Sequence, residues 1–355
     1  MNNRAITKVH AAILLLVILV ATVSAAFVFY NNVAGPSTGP LTVVDMAGRN
    51  VQVPSNVSRV IIINSYWAEI ACTLGDSNKI VGIGSDVKSS YYIPSSVKNL
   101  TVVGDLFNGI NMETVVGLNP DLVIMDTGYG KAADVINSLQ SLNISVITLL
   151  PGNYSAEMNA IQIIGKALGS QQRSNDLVSY MQSGISNITT TVSQIPASQK
   201  PTVLICNLNV WNQGLIYTYS NSTWGNAVEE VGGINVGLQD SPTLPYFKVG
   251  LEKLLAWNPD IIIITGRTND TLTSQLSTLN TNGTWSQLKA VQNGQVYTVL
   301  VGSKEAGAYL DDGPRTMIGL MQLAKIIQPQ QFQGLDIQKT ADQLFAQFYQ
   351  FNFAS

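Results

Sequence analysis

"METVVGLNPDLVIMD", residues 112–126, is followed 139 residues later by "LEKLLAWNPDIIIIT", residues 251–265, and this near repetition decides how the chain is read. Each copy opens on a Glu, Glu113 or Glu252, and continues with apolar residues spaced for one or two helical turns. Asn-Pro-Asp then ends the helix, because proline lacks the N–H that would continue the ladder and its ring clashes with the turn before it. Residues 122–125 and 261–264 follow as unbroken aliphatic runs without the alternation of a half-exposed strand. Both faces of these strands are expected to be buried, as in the parallel sheets of α/β proteins. Asn119, Pro120, Asp121 and Ile124 recur as Asn258, Pro259, Asp260 and Ile263, so two sheets are expected.

A second echo supports two related halves. "NSYW" (residues 64–67) follows the aliphatic residues 60–63, and "NSTW" (residues 221–224) follows residues 216–219. Each leads into a helical pattern that ends at a glycine, Gly75 or Gly232. The offset is 157 residues here instead of 139, which places an extra 18 residues between the landmarks of the first half. Two copies make two lobes, not a solenoid.

At 355 residues, the chain can bury a core in each of two domains. Only 12% of residues are charged, and beyond Arg4 and Lys8 the balance is 17 basic to 22 acidic residues, a net −5 that argues against a nucleic-acid partner. Residues 9–30, "VHAAILLLVILVATVSAAFVFY", are long and apolar enough to span a bilayer, and the two cations before them place the N-terminus in the cytoplasm and the rest outside. A cleaved signal peptide, cut near Ala25, accounts for the same pattern. Residues 31–40, "NNVAGPSTGP", read as a linker. The only cysteines, Cys72 and Cys206, fall in different halves and read as buried free thiols. Eight Asn-x-Ser/Thr sequons, at Asn56, Asn99, Asn143, Asn153, Asn187, Asn221, Asn269 and Asn282, suit a glycosylated surface protein.

Residues 41–53 read as a hairpin turning at Ala47-Gly48, and strand and helix patterns then alternate through Ile147. Between the halves, Leu177, Tyr180, Met181, Ile185, Ile188, Val192 and Ile195 recur at helical spacing, so one long helix ending before Pro196 is expected. "GPRTMIGLMQLAKIIQP" places Pro314 in a first helical turn and Arg315 near a helix N-terminus. A cation is electrostatically awkward there and points to an acidic partner within the chain. An amphipathic helix over residues 341–351 closes the chain.

The hairpin "DMAGRNVQVP", then "RVIIINSYWAEIACTLG", "GINMETVVGLNPDLVI", the long helix, "GLEKLLAWNPDIIIITG" and "GPRTMIGLMQLAKII" follow one another in an order that resembles the substrate-binding proteins of ABC importers for iron-siderophore complexes and vitamin B12. The resemblance spans residues 41–352. It implies an α/β, helical-backbone periplasmic-binding-protein fold: two related lobes with mainly parallel sheets (41–154 and 197–355), joined by connecting helices (155–196) and preceded by the anchor or signal helix (1–30). It further implies a monomer on the extracellular face of the membrane that is not an enzyme and has no cofactor of its own. Such a protein captures a metal chelate between its lobes and hands it to an ABC permease and its ATPase.

In the resembled family a Glu on each lobe docks on basic residues of the permease, and Glu113 and Glu252 occupy those positions. Complementing a helix dipole would account for them as well. Phe107 and Tyr246 stand six residues before these carboxylates, where the family places cleft aromatics. Tyr92 and Trp211 match cleft loops less closely, and flat π faces suit a large planar or catecholate chelate. Lys248, Arg267 and Tyr309 lie in loops at strand or helix ends, where an anionic group is met or where surface position alone explains them. Asp126 ends the first repeated strand and is expected to face the cleft with Tyr129.

Absences narrow the chemistry. His10, in the apolar segment, is the only histidine, which removes a histidine site for a bare divalent ion and a Ser-His-Asp hydrolase. "GIGSD" (residues 82–86) lacks the third Gly and the Lys-Ser/Thr ending of a phosphate loop. Two alternatives stay open: ferric-ion binding through Tyr91, Tyr92 and Tyr129, and an envelope interaction protein without a transport role.

Overall fold

The computed structural model describes residues 39–128, 130–150, 152–281 and 283–351. The expected apolar helix, most of the linker, Tyr129 and the sequon at Asn282 lie outside these residues. No helix among the described residues is long and apolar enough to cross a membrane.

Strands β1 (Leu41–Val44) and β2 (Asn50–Val53) form the entry hairpin, turning through Gly48 at φ 75°. The first large sheet has the order β6-β5-β4-β3-β7-β8, from β3 (Val60–Ile62), β4 (Ile80–Gly84), β5 (Thr101–Asp105), β6 (Gly109–Ile110), β7 (Leu122–Asp126) and β8 (Ser145–Leu149). All its pairings are parallel except that of β5 with β6. The second sheet runs β12-β10-β9-β13-β14, with β11 (Ile234–Asn235) beside β9. Its strands are β9 (Thr202–Asn207), β10 (Leu215–Tyr219), β12 (Tyr246–Gly250), β13 (Ile261–Gly266) and β14 (Val296–Leu300). The two aliphatic runs of the repeat, β7 and β13, are buried at every residue, as two covered faces require.

The repeated Asn-Pro-Asp is a lock between neighbouring strands. Asn119 and Asn258 take the left-handed conformation, at φ 45° and 40°, that Asn tolerates better than other side chains. This turns the chain out of the preceding helix and into the strand. The Asp121 carboxylate then accepts hydrogen bonds from Ser58 N (2.8 Å), Ser58 Oγ (2.9 Å) and Arg59 N (2.9 Å), just before β3. Asp260 likewise accepts from Thr202 N (2.9 Å) and Thr202 Oγ1 (2.8 Å) at the start of β9. Each lock sets one register, Val60 opposite Leu122 and Val203 opposite Ile261.

This equivalence makes β9 the counterpart of β3 and corrects the second echo. "NSTW" follows β10, which runs antiparallel to β9 and β12 and does not border β13. Its alternating burial marks a strand covered on one face only.

Helix α1 (Ser65–Thr73) follows β3, and α2 (Met112–Gly117) opens the first copy of the repeat. The chain leaves the first sheet through α3 (Tyr154–Leu168) and turns at Gly169 into α4 (Gln171–Ser193). With 23 residues, α4 is about 34 Å long. It buries Leu177, Met181, Ile185, Ile188 and Val192 as the spacing predicts, while Tyr180 stays half-exposed. Helices α5 (Thr223–Glu230) and α6 (Leu251–Trp257) belong to the second half.

After β14, α7 (Thr316–Ile327) packs on α4, with Met317 against Gly184, where a Cβ would meet its sulfur at 2.2 Å. The last helix, α8 (Ile337–Phe348), returns to the first half: the Arg173 guanidinium of α4 donates both to Thr73 O (2.6 Å), at the end of α1, and to Phe348 O (3.0 Å). Residues 315–349 therefore bridge the two halves instead of belonging to the second alone. Cys72 and Cys206 are buried and unpaired, and burial pushes both thiols up to about 12.

The locks carry a testable consequence. Burial works against ionisation of Asp121 and Asp260, but hydrogen bonds, with Lys289 beside Asp260, outweigh it and hold both carboxyls below the usual range. Their stabilisation is present above the unfolded carboxyl pKa of about 3.9 and is lost as pH falls through the lower folded values. Asp121→Asn and Asp260→Asn are each expected to cost about 1–3 kcal/mol in urea unfolding at neutral pH and to flatten the loss of stability below about pH 4. Unchanged midpoints and an unchanged acid limb would show that the locks do not set the register.

Candidate functional site

The two halves meet around one buried cation. Arg315 stands just before α7 and is 1% exposed; its Nε and Nη2 donate to Glu69 Oε1 and Oε2 of α1 at 2.6 and 2.9 Å. Nη1 donates to Gly302 O (3.1 Å) and to Ala308 O, and Asp311 lies 3.4 Å from Nη2. Burial alone would lower the guanidinium pKa, but Glu69 outweighs it and holds Arg315 firmly charged. This is the internal acidic partner that the sequence position called for.

Tyr92 completes the joint and is corrected as a cleft residue. It is 1% exposed, its ring lies 3.9 Å beneath the Arg315 guanidinium carbon and 5.9 Å from Phe345 in a stack, and its hydroxyl accepts from Gly307 N at 2.9 Å. Both ring faces are covered by protein. Tyr309 is half-buried with its ring 6.2 Å from Phe345, on the same joint. Tyr91 N donates to Ser303 O at 2.6 Å, which ties the loop after β14 to the first half.

Beside the joint, the carboxyl ends of the first sheet's strands carry an acidic, aromatic wall, the end at which open α/β sheets bind ligands. Asp126 ends β7 fully buried, which corrects the expectation that it faces the cleft, and it accepts from Tyr66 Oη and Trp67 Nε1, both at 2.5 Å. Asp86, after β4, accepts from Ser65 N at 3.0 Å. Its carboxylate is hemmed in by protein yet open to solvent, the condition of a recessed wall. From the second half, Asp311 and Asp312 approach the same place, and Asp312 is bonded by the Thr223 hydroxyl.

Burial raises all four acids. Burial, opposed by Tyr66 and Trp67 and assisted by Asp312 and Asp86, pushes Asp126 up to about 8. Burial and then Asp311 bring Asp312 to about 7, and burial offset by Arg315 leaves Asp311 at about 6. Asp86 is raised by burial too, with Arg267 pulling the other way. Arg267 is exposed, follows β13, and reaches electrostatically to Asp86 in one half and to Tyr219 in the other.

The second half contributes an aromatic strip. Tyr217 and Tyr219 share one face of β10 while Thr218 is buried on the other, and Lys248 and Tyr246 of β12 are their cross-strand partners. The Tyr217 and Tyr246 ring centroids are 5.9 Å apart, Lys248 Nζ lies 5.2 Å from the Tyr217 ring, and Tyr219 Oη accepts from Asn207 Nδ2 at 2.6 Å. Tyr246 is 52% exposed. Trp211, by contrast, packs its ring 5.5 Å from the fully buried Trp285, at the edge of the second core.

Phe107 is 67% exposed at the tip between β5 and β6. Asp105 holds that turn, accepting from Phe107 N (2.9 Å), Asn108 N (2.8 Å) and Ser85 Oγ (2.8 Å). Hydrogen bonds from Asn108 are the main reason its carboxyl falls to about 2. Glu113 and Glu252 are exposed in the first turns of α2 and α6.

The sequence reading missed Tyr66, Trp67, Asp86, Tyr217, Tyr219, Asp311 and Asp312. A signal existed for the two tyrosines of β10, whose alternation puts them on one face. None existed for the acids, which are brought together from distant loops. Among the described residues, no cluster of three or more His, Cys, Asp or Glu is arranged to hold a metal ion.

Comparison with known proteins gives this geometry a family. The chain is 26% identical over 295 residues to the uncharacterized ABC transporter substrate-binding lipoprotein YvrC of Bacillus subtilis, covering 82% of this chain and 87% of that one. It is 24% identical to the molybdate-binding protein MolA of Haemophilus influenzae, over 86% of this chain and 90% of MolA. The molybdate-bound MolA structure superposes with a TM-score of 0.70 at 21% identity, covering 87% of this chain and 98% of that chain. A cobalamin-binding protein of Halobacterium salinarum is 25% identical over 242 residues, 68% of this chain and 62% of that protein. A profile of the periplasmic binding protein family matches residues 60–299, more than half of the sequence, and the chain belongs to that family.

Proposed function

We propose that this substrate-binding protein of an ABC transporter captures a metal chelate, neutral or cationic overall, between its two lobes and delivers it to an importer. The observation that carries the reading is that Arg267 reaches electrostatically to members of two sets of side chains: the acids Asp86, Asp311 and Asp312, with Asp126 buried behind them, and the aromatic faces of Tyr217, Tyr219 and Tyr246. Aromatic faces suit a broad organic ligand. Where they ionise, as Asp311 does above about pH 6, these acids disfavour a free oxyanion such as molybdate and a polyanionic catecholate and leave a corrin or a hydroxamate complex as the better fit. The similarity to a cobalamin-binding protein supports the same class.

Phe107 and Tyr246 are the aromatic contacts of this reading, with Lys248, Arg267 and a carboxyl of the wall as polar contacts. Tyr129, three residues after Asp126 in sequence, stays in the proposal. Glu113 and Glu252 are the permease-docking carboxylates, one per lobe, and the protein works as a monomer outside the cell, held or exported by residues 9–30. The sequon asparagines among the described residues are all exposed, which suits glycosylation there. A ferric site on Tyr91, Tyr92 and Tyr129 lacks support, because the hydroxyl and both faces of Tyr92 are already occupied.

Calorimetric titration with cobalamin, a ferric hydroxamate, ferric citrate and molybdate tests the class. One site per chain and preference for cobalamin or the hydroxamate are expected, whereas tight binding of molybdate alone would reject it. With whichever chelate binds, Phe107→Ala and Tyr246→Ala are expected to weaken affinity about ten- to hundredfold while leaving the melting temperature nearly unchanged, because both side chains are exposed. Marked destabilisation with unchanged affinity would remove them from the site. Glu113→Ala and Glu252→Ala are expected to keep affinity and to abolish uptake by cells; loss of affinity in the purified double variant would place these carboxylates in the pocket or the fold instead.

A further inference from the structure

Where the chain crosses from the first sheet to the second half, three acids lie near one another, and among the described residues no cation closes on them. Tyr154 N, at the start of α3, donates to Glu230 Oε1 of α5 at 3.1 Å, and Asn226 Nδ2 of α5 donates to Gly152 O at 2.7 Å. Beneath this crossing lies Glu157, 0% exposed, and neither of its carboxylate oxygens has a hydrogen-bond partner among the described residues. The Thr316 hydroxyl and Gly313 N–H face it without closing a bond, and Thr316 already donates to Asp311 O. The Tyr154 hydroxyl, also buried, has no partner among the described residues either.

The charged groups nearest Glu157 are themselves acidic or are engaged elsewhere. On α3 itself are Tyr154, beside Glu157, and Lys166, whose Nζ donates to Thr42 O. From α5 come Glu230 and Glu229, whose Oε1 accepts from Asn235 N at 2.8 Å, and from the turn before α7 come Asp312 and Asp311. Arg315 of that turn is committed to Glu69 of α1, and Arg173 of α4 is committed to two backbone carbonyls. An ionised Glu157 would thus be a buried charge with like charges for neighbours, which is among the most costly arrangements in a protein interior.

Two things can neutralise it, a proton or a bound cation, and the absence of a metal-holding cluster among the described residues favours the proton. We propose that Glu157 is carried as a neutral acid whose proton is a structural part of the joint between crossover and second half, so that its loss at alkaline pH loosens the joint. Consistent with this geometry, burial, and then Asp312, raise the Glu157 carboxyl well above the usual carboxylate range, and burial raises Glu230. The sign follows. A carboxyl raised in the folded state contributes stability that is complete below its unfolded pKa, near 4.5, and declines as pH rises through the folded value.

The test is denaturant unfolding of the full chain between about pH 5 and about pH 9, for wild type and Glu157→Gln. The wild-type folding constant is expected to fall with rising pH more steeply than that of the variant, by up to about tenfold per pH unit, and the variant to be the more stable at the alkaline end. The infrared band of a protonated carboxyl at neutral pH should lose intensity in the variant. Parallel pH curves, or an unchanged infrared band, would overturn the proposal. So would stabilisation of the wild type, and not the variant, by added sodium, potassium or calcium, which would identify a cation in place of the proton. If Glu157→Gln does not fold, Glu157→Met, which carries no charge and needs no partner, gives the same reading, and failure of both neutral variants to fold would also overturn it.

Discussion

The ion pair between Arg315 and Glu69 is the contact on which the arrangement of the two halves depends. Two fully buried charges are expensive to desolvate, and they are tolerated only when geometry and the remaining hydrogen bonds are good. Here the guanidinium is bidentate on the carboxylate, its other nitrogen serves two carbonyls, and Tyr349 Oη donates to Glu69 from the end of the chain. The pair thereby joins α1, the loop after β14 and the segment beyond α8, which no continuous hydrophobic surface could align so specifically. Removing one partner leaves an uncompensated interior charge. The contact is therefore one of position more than of net stabilisation.

Its consequence is the acidic wall. The loop that supplies Gly302 and Ala308 to Arg315 runs directly on to Asp311 and Asp312, so fixing the guanidinium also fixes where those carboxyls stand relative to Asp126 and Asp86. One cation in the interior thus positions Asp311 and Asp312 beside the carboxyl ends of the first sheet's strands. The aromatic strip is built differently, from plain sheet geometry: β10 and β12 pair so that Tyr217, Tyr219, Tyr246 and Lys248 lie together. One surface of the site is long-range and electrostatic in origin, and the other is local.

That difference explains what the sequence made legible. The Asn-Pro-Asp repeat was readable because each of its three residues has a local task, left-handed turn, helix stop and strand lock, and the apolar runs behind it have one meaning wherever they occur. The long helix was readable from spacing, and the partner of Arg315 was foreshadowed by an unfavourable dipole. Tyr92 was misread because "YYIP" looks like an exposed loop, while the groups that bury it, Arg315, Gly307 and Phe345, lie more than 200 residues away in sequence. "NSTW" was misplaced for a related reason: an aliphatic run followed by a helix signal says strand then helix, but not which neighbour the strand pairs with or in which direction. The acids of the wall are similarly silent, since nothing near Asp126 in sequence announces Tyr66, 60 residues earlier.

The account is tested most directly by the coupling energy between Arg315 and Glu69, measured by a double-mutant cycle with Arg315→Met, Glu69→Met and the double variant in denaturant unfolding. If the pair is the buried joint described, each single change costs about 3–5 kcal/mol, and the double variant is less destabilised than the sum of the two by about 2 kcal/mol or more, because no lone charge is left inside. Additive losses, with no coupling outside error, would contradict the claim that this contact holds the two halves in register.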